Sequence, residues 1–158
     1  MPVEIERKFL VRGDFRPFVI RQHEIKQGFL STVPERTVRV RIADDKAFIT
    51  VKGLSNKAGT HRMEWEQEIN YKDAETLLTL CEPFPISKTR YIVPVSEDLF
   101  FEVDEFHAHN KGLVIAEIEL PNADTPFDKP DWLGEEVTGD VRYYNSNLAR
   151  KPFTTFEG

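Results

Sequence analysis

Apolar and polar residues alternate along most of this chain, with the period of two that a strand gives its two faces. The alternation marks Val3–Val11, Glu24–Ser31, Thr37–Ile42, Ala47–Lys52, Arg62–Tyr71, Lys88–Val93, Leu99–Phe106 and Leu113–Leu120 as strands. Breakers separate them: Pro34, Asp44-Asp45, Gly53 with Gly59, Pro83 with Pro85, and Asn110 with Gly112. Asp44-Asp45-Lys46 suits a hairpin turn. Asp73–Glu82 loses the alternation and predicts a helix with Asp73 as its cap. Asn145–Lys151 predicts a short terminal helix, closing a single domain over 1–151, with 152–158 as a loose tail. So many short strands around one interior predict a mainly β fold, a barrel or sandwich with a few peripheral helices.

The charges keep to single faces. Glu4, Glu6 and Lys8 share one face; so do Arg39 and Arg41, then Glu64, Glu66 and Glu68, then Lys88 and Arg90, Glu102 and Asp104, and Glu117 and Glu119, with Lys52 on its own strand. The opposite faces are apolar, as in Val38, Val40 and Ile42 or Ala116, Ile118 and Leu120. An amphipathic sheet wetted on its charged side explains any one strand. Sign segregation by strand, and the presence of arginines whose planar forks match phosphate oxygens, favour the alternative of a closed barrel with a charged interior.

Composition narrows the partners. At 158 residues the chain is long enough for one real core. A net charge of -6, pI ≈ 5.3 and mean hydropathy -0.44 argue against a nucleic-acid or anionic-membrane partner. Cys81 is the single cysteine, so no internal disulfide and no cysteine metal site can form. No apolar run approaches the ~18 residues of a membrane span, and the chain is expected to be cytoplasmic. The sequence leaves a homodimer open.

The ordered set Glu4-x-Glu6-x-Lys8, Arg39-x-Arg41, Thr50-x-Lys52, Glu64-x-Glu66-x-Glu68, Lys88-x-Arg90-Tyr91, Glu102-x-Asp104 and Glu117-x-Glu119 resembles the triphosphate tunnel metalloenzymes, or CYTH superfamily. The likeness runs from Val3 to Ala149 and is similar to the short bacterial inorganic triphosphatases. It implies an eight-stranded closed antiparallel barrel, open as a tunnel, that binds a small triphosphate with Mg²⁺ or Mn²⁺. By the same resemblance Glu4, Glu6, Glu117 and Glu119 hold metal, with Asp104 as a helper. Lys8, Arg39, Arg41, Lys52, Lys88 and Arg90 bind phosphate, joined by Arg142 from Gly134–Tyr143, which looks like the closing segment of the short bacterial members. Lys88 is the expected catalytic residue, with Glu4 and Glu6 beside it. For Glu64, Glu66 and Asp104 a salt bridge to a neighbouring base is an equal reading, and for Arg142 a surface pair. One position departs: related triphosphatases carry Gln-Gly-Tyr on the second strand, where this chain has Gln27-Gly28-Phe29.

The chemistry agrees with the likeness. Many ions inside a barrel cost several kcal/mol each unless paired or bound to counter-charges, and a metal polyphosphate supplies both signs. The leading expectation is therefore a metal-dependent triphosphatase acting on inorganic triphosphate or a small organic triphosphate. The alternatives are an adenylate cyclase and a non-catalytic polyphosphate-binding module. His107-Ala-His109 lies among turn residues and predicts a solvated loop; Trp65 and Trp132 are expected on the barrel exterior. No phosphate-binding glycine loop appears.

Overall fold

Alternation becomes hydrogen-bonded ladders almost strand for strand. The computed structural model describes residues 3–82 and 84–156, without the side chains of Val3 and Glu4. Its strands are β1 (Val3–Val11), β2 (Arg21–Ser31), β3 (Arg36–Ala43), β4 (Lys46–Gly53), β5 (His61–Ile69), β6 (Ile86–Pro94), β7 (Phe100–Phe106), β8 (Val114–Glu119) and β9 (Leu133–Glu136). They pair antiparallel in the order β5-β4-β3-β2-β6-β7-β8-β1-β9, and β5 also pairs with β1. That last pairing, Val3↔Met63 to Ile5↔His61, closes eight strands into a barrel. Asp44, with φ 55, turns the β3–β4 hairpin as its sequence predicts.

Three local expectations need correction. The first helix, α1, runs Tyr71–Leu78, and its cap is Asn70, whose side chain accepts from the Lys72 and Asp73 amides. Asp73 lies instead in the first turn, where a carboxylate suits the helix dipole. The ninth strand was not expected: Gly134 and two glutamates hide its pattern, and it forms by pairing Leu133 and Glu136 with the end of β1. Residues 152–156, expected as a loose tail, pack: Pro152 is buried, Phe156 stacks edge-on against Tyr143 at 5.9 Å, and the Phe153 amide donates to Asn110 Oδ1 at 2.7 Å.

The faces are inverted relative to an ordinary barrel. Apolar side chains point outward and are covered by other segments. Phe9, Val93, Phe101, Val103, Ala116 and Ile118 lie under Phe15 and Trp132. Val40, Ile42 and Ala47 lie under Ala74, Leu77 and Leu78 around α1. Full burial of one such Phe, Ile or Leu stabilises by about 1.5–3 kcal/mol, so these covers fix which face is exterior. Trp132 is 4% exposed in this cover, whereas Trp65 is 43% exposed.

The lumen is charged at one end and apolar at the other. Leu10, Ile86, Phe106 and Ile115 each stand two residues from Lys8, Lys88, Asp104 and Glu117, towards one end of the barrel because neighbouring strands run antiparallel. They cluster with Val137, Tyr143 and Leu148 from the C-terminal segment. The short helix α2 (Asn145–Leu148) sits there, so this end is filled rather than open as a tunnel.

Candidate active site

Register places the charged rows against one another. Arg39 faces Thr50 and Thr50 faces Glu66; Thr37 faces Lys52 and Lys52 faces Glu64. Arg90 faces Asp104, Glu102 faces Glu117, Lys8 faces Glu117, and Glu6 faces Glu119. One cavity results, lined by Lys8, Arg39, Arg41, Lys52, Lys88 and Arg90, with Glu6 and Glu117 among its acids and Phe29 in its wall.

The two most buried charges among the described residues, Lys88 and Asp104, form a triad with Arg90. Lys88 and Asp104 are each 1% exposed. Asp104 Oδ2 lies 2.7 Å from Lys88 Nζ, and its two oxygens accept from Arg90 Nε and Nη2 at 2.8 and 2.9 Å. Arg90 Nη1 reaches Glu102 at 3.1 Å. Burial tends to raise the Asp104 carboxyl, but Arg90 and Lys88 outweigh it and hold the group well below the carboxylate range. Lys88 moves the other way. Burial lowers it, beyond what Asp104 restores, and Arg90 and Arg41 push it further, to about 7.

Around the triad, Lys8 lies 3.6 Å from Glu117 and donates to the Tyr143 carbonyl at 3.3 Å. Burial opposes its charge, but Glu117 and Glu6 together raise it, while Glu117 is held at about 2 against its own burial, mainly by Lys8. Arg41 donates to Gln27 Oε1 at 2.8 Å; burial, then Arg39 and Arg90, pull it well below its ordinary value. A guanidinium so crowded by cations has much to gain from an anion. Arg39 donates to Thr50 Oγ1 at 3.1 Å and lies 3.5 Å from Glu66, whose side chain is 41% exposed.

The expected residues mostly converge, with four qualifications. Asp104 spends both oxygens on bases. Arg142 does not reach the cavity: it is exposed and pairs with Asp140 at 2.7 Å, because the turn Val141–Tyr143 buries Tyr143 instead. Glu119 shares the face of Glu6 but is exposed. The side chain of Glu4 lies outside the described residues. Among the described residues no three His, Cys, Asp or Glu side chains form a metal-holding group. The donor types present nevertheless fit a hard divalent cation, since Glu6 and Glu119 are partners on the β1–β8 ladder and Glu117 follows two residues along the same face.

The cavity also holds residues that were not anticipated: Arg62, Thr37, Tyr144, Asn145 and Ser146. Arg62 was readable, for it has the parity of Glu64 and Glu66; it donates to the Gly53 carbonyl at 3.2 Å and Thr37 Oγ1 at 3.3 Å. Residues 144–146 carry no such signal, being brought in by chain reversal. His107 precedes the short 3-10 turn Ala108–Asn110 and His109 lies within it; neither lines the cavity, and His107 Nε2 lies 2.8 Å from Thr89 Oγ1.

Comparison with known proteins places these features in context. The CYTH domain family model matches residues 2–152. An inorganic triphosphatase of Acetivibrio thermocellus is 46% identical over 158 residues, 99% of each chain. An inorganic triphosphatase of Nitrosomonas europaea is 36% identical over 149 residues, 92% of this chain and 96% of that one. A crystal structure of an inorganic triphosphatase superposes with TM-score 0.65 at 33% identity, covering 94% and 95% of the two chains. A Hippeastrum protein, described as a putative adenylyl cyclase with dominant triphosphatase activity, shares the fold at TM-score 0.59 and 16% identity.

Proposed function

The chain belongs to the CYTH domain family, and on that footing we propose that it hydrolyses inorganic triphosphate with Mg²⁺ or Mn²⁺ in its charged lumen. The observation that carries the reading is the convergence of Lys8, Arg39, Arg41, Lys52, Lys88 and Arg90 on one cavity that Glu6 and Glu117 also line. The cations, with Arg62, hold phosphate oxygens by charge-assisted hydrogen bonds. Glu6, Glu117 and Glu119, with Glu4, are the residues to hold the cation. Mg²⁺-like ions take one or two carboxylates and complete their shell with substrate phosphate and water. The chemistry a bound cation supplies there is neutralisation of phosphate charge.

Lys88 is the base. Near neutral pH part of it is uncharged, and its Nζ takes a proton from the attacking water. The water oxygen bonds to the terminal phosphorus, the bridging P–O bond breaks, and pyrophosphate and phosphate leave. Phosphate release from inorganic triphosphate, pyrophosphate and ATP, with Mg²⁺, with Mn²⁺ and in chelator, tests the proposal. Metal-dependent release, greatest with inorganic triphosphate, is the expected result. Full turnover in chelator, or a cyclic product with pyrophosphate from ATP, overturns it.

A further inference from the structure

Lys88 has a second anchor besides Asp104, and it comes from the far end of the chain. Asn145, the first residue of α2, presents Oδ1 to Lys88 Nζ at 2.9 Å. The same oxygen accepts from Gln27 Nε2 at 2.9 Å, and Gln27 Oε1 accepts from Arg41 Nε at 2.8 Å. This chain of bonds has one self-consistent direction. Arg41 can only donate, so it fixes the carbonyl of Gln27 towards itself and the amide nitrogen towards Asn145. That donor in turn holds the carbonyl of Asn145, and not its amide nitrogen, at Lys88. Gln27 is 0% exposed, so no solvent competes for either end.

We propose that Asn145 is a positioning residue for hydrolysis, aimed by Gln27 and Arg41, that orients the Lys88 nitrogen towards bound substrate. Asp104 and Asn145 Oδ1 are both acceptors, so each claims one N–H of Lys88. Phe106 lies beneath, its ring centroid 5.2 Å from Nζ. What remains at the nitrogen, a third N–H or a lone pair, is left for the lumen that Lys88 lines. Arg41 lines the same lumen, so its engagement with phosphate and the aim of Lys88 are joined through two buried amides. The proposal rests on the reading of Lys88 as the base, and it assigns to the C-terminal helix a task that apolar filling alone does not require.

The test uses Asn145→Leu, close in size but with no acceptor, and Gln27→Leu, with Lys88→Met as reference. Asn145→Leu is expected to lower kcat on inorganic triphosphate about 10–100-fold, as misplacement of a reacting group does, with KM within about threefold. Gln27→Leu is expected to give a smaller loss of the same kind. The proton–nitrogen signal of the Lys88 side chain, read without substrate or metal, is expected to be sharp in the wild type and broadened in Asn145→Leu. Should Asn145→Leu not fold, Asn145→Ser carries the same expectations. Unchanged kcat and an unchanged Lys88 signal overturn the positioning role, as does a loss that appears in KM alone. Full activity in Lys88→Met overturns the base itself, a result distinguishable from the failure of Asn145.

Discussion

At the residue scale, Asp104 shows why a motif names a position before it names a job. Its alternation and its neighbours are those of a metal carboxylate, yet both oxygens are occupied by Arg90 and Lys88 inside the wall. Removing one partner of a buried ion cluster strands the rest, so Asp104→Asn should destabilise the fold by about 3–5 kcal/mol. Urea unfolding would show this, and a loss below 1 kcal/mol would mean the triad is solvated in practice. Phe29, 5% exposed, is the second informative residue. A hydroxyl there could help order the attacking water, but Asp104 and Asn145 already hold Lys88. Phe29→Tyr should therefore raise kcat on inorganic triphosphate by well under the ~10²-fold at the foot of the general acid–base range. Comparing kcat for the two proteins checks it, and a lower value in a stably folded variant contradicts it.

At the element scale, the barrel was legible because its strands announce themselves twice, by apolar alternation and by charge parity. Glu6 opposite Glu119 and Arg90 opposite Asp104 follow from parity once register is known. The parts that stayed hidden have no period to read. Strand β9 is four residues long, and Asn145 reaches Lys88 only because the chain folds back across 57 positions. That return passes a close glycine contact. Gly59 (φ +78) and Gly139 (φ +80) let the β4–β5 loop meet the closing segment, where a Cβ on Gly59 would come within 2.4 Å of the Gly139 Cα. Both glycines line the cavity. Gly59→Ala should cost about 1–3 kcal/mol of stability through overpacking and backbone strain, and raise KM for triphosphate as the wall shifts. Thermal melting with steady-state kinetics measures both; an unchanged melting temperature would mean the loop moves freely aside.

At the scale of the whole molecule, an inside-out barrel ties stability to pH in two separate windows. Glu117, at about 2, and Asp104 both titrate in the native state below the ~4 of unfolded carboxylates. Their contribution is present above that value and is lost as pH falls towards 2. Lys88 is also depressed by folding, so its slope has the same sign in a higher window, and its burial costs stability while it stays charged. The unfolded chain binds its proton with a pKa near ~10.4, the native chain at about 7, so stability rises with pH between those values. Urea midpoints from pH 3 to 10 should show both limbs, and Lys88→Met should remove the alkaline one. If both limbs persist in Lys88→Met, the alkaline rise belongs to another group.

The most direct measurement is the turnover of inorganic triphosphate by wild type and Lys88→Met, at saturating substrate with Mg²⁺ or Mn²⁺, with both products quantified. Wild type should release phosphate and pyrophosphate in equal amounts, and Lys88→Met, folded by its melting curve, should be slower by about 10²–10⁴-fold. No turnover by the wild type, or a Lys88→Met protein that works at the wild-type rate, would contradict the assignment of the charged lumen as a triphosphatase site with Lys88 as its base.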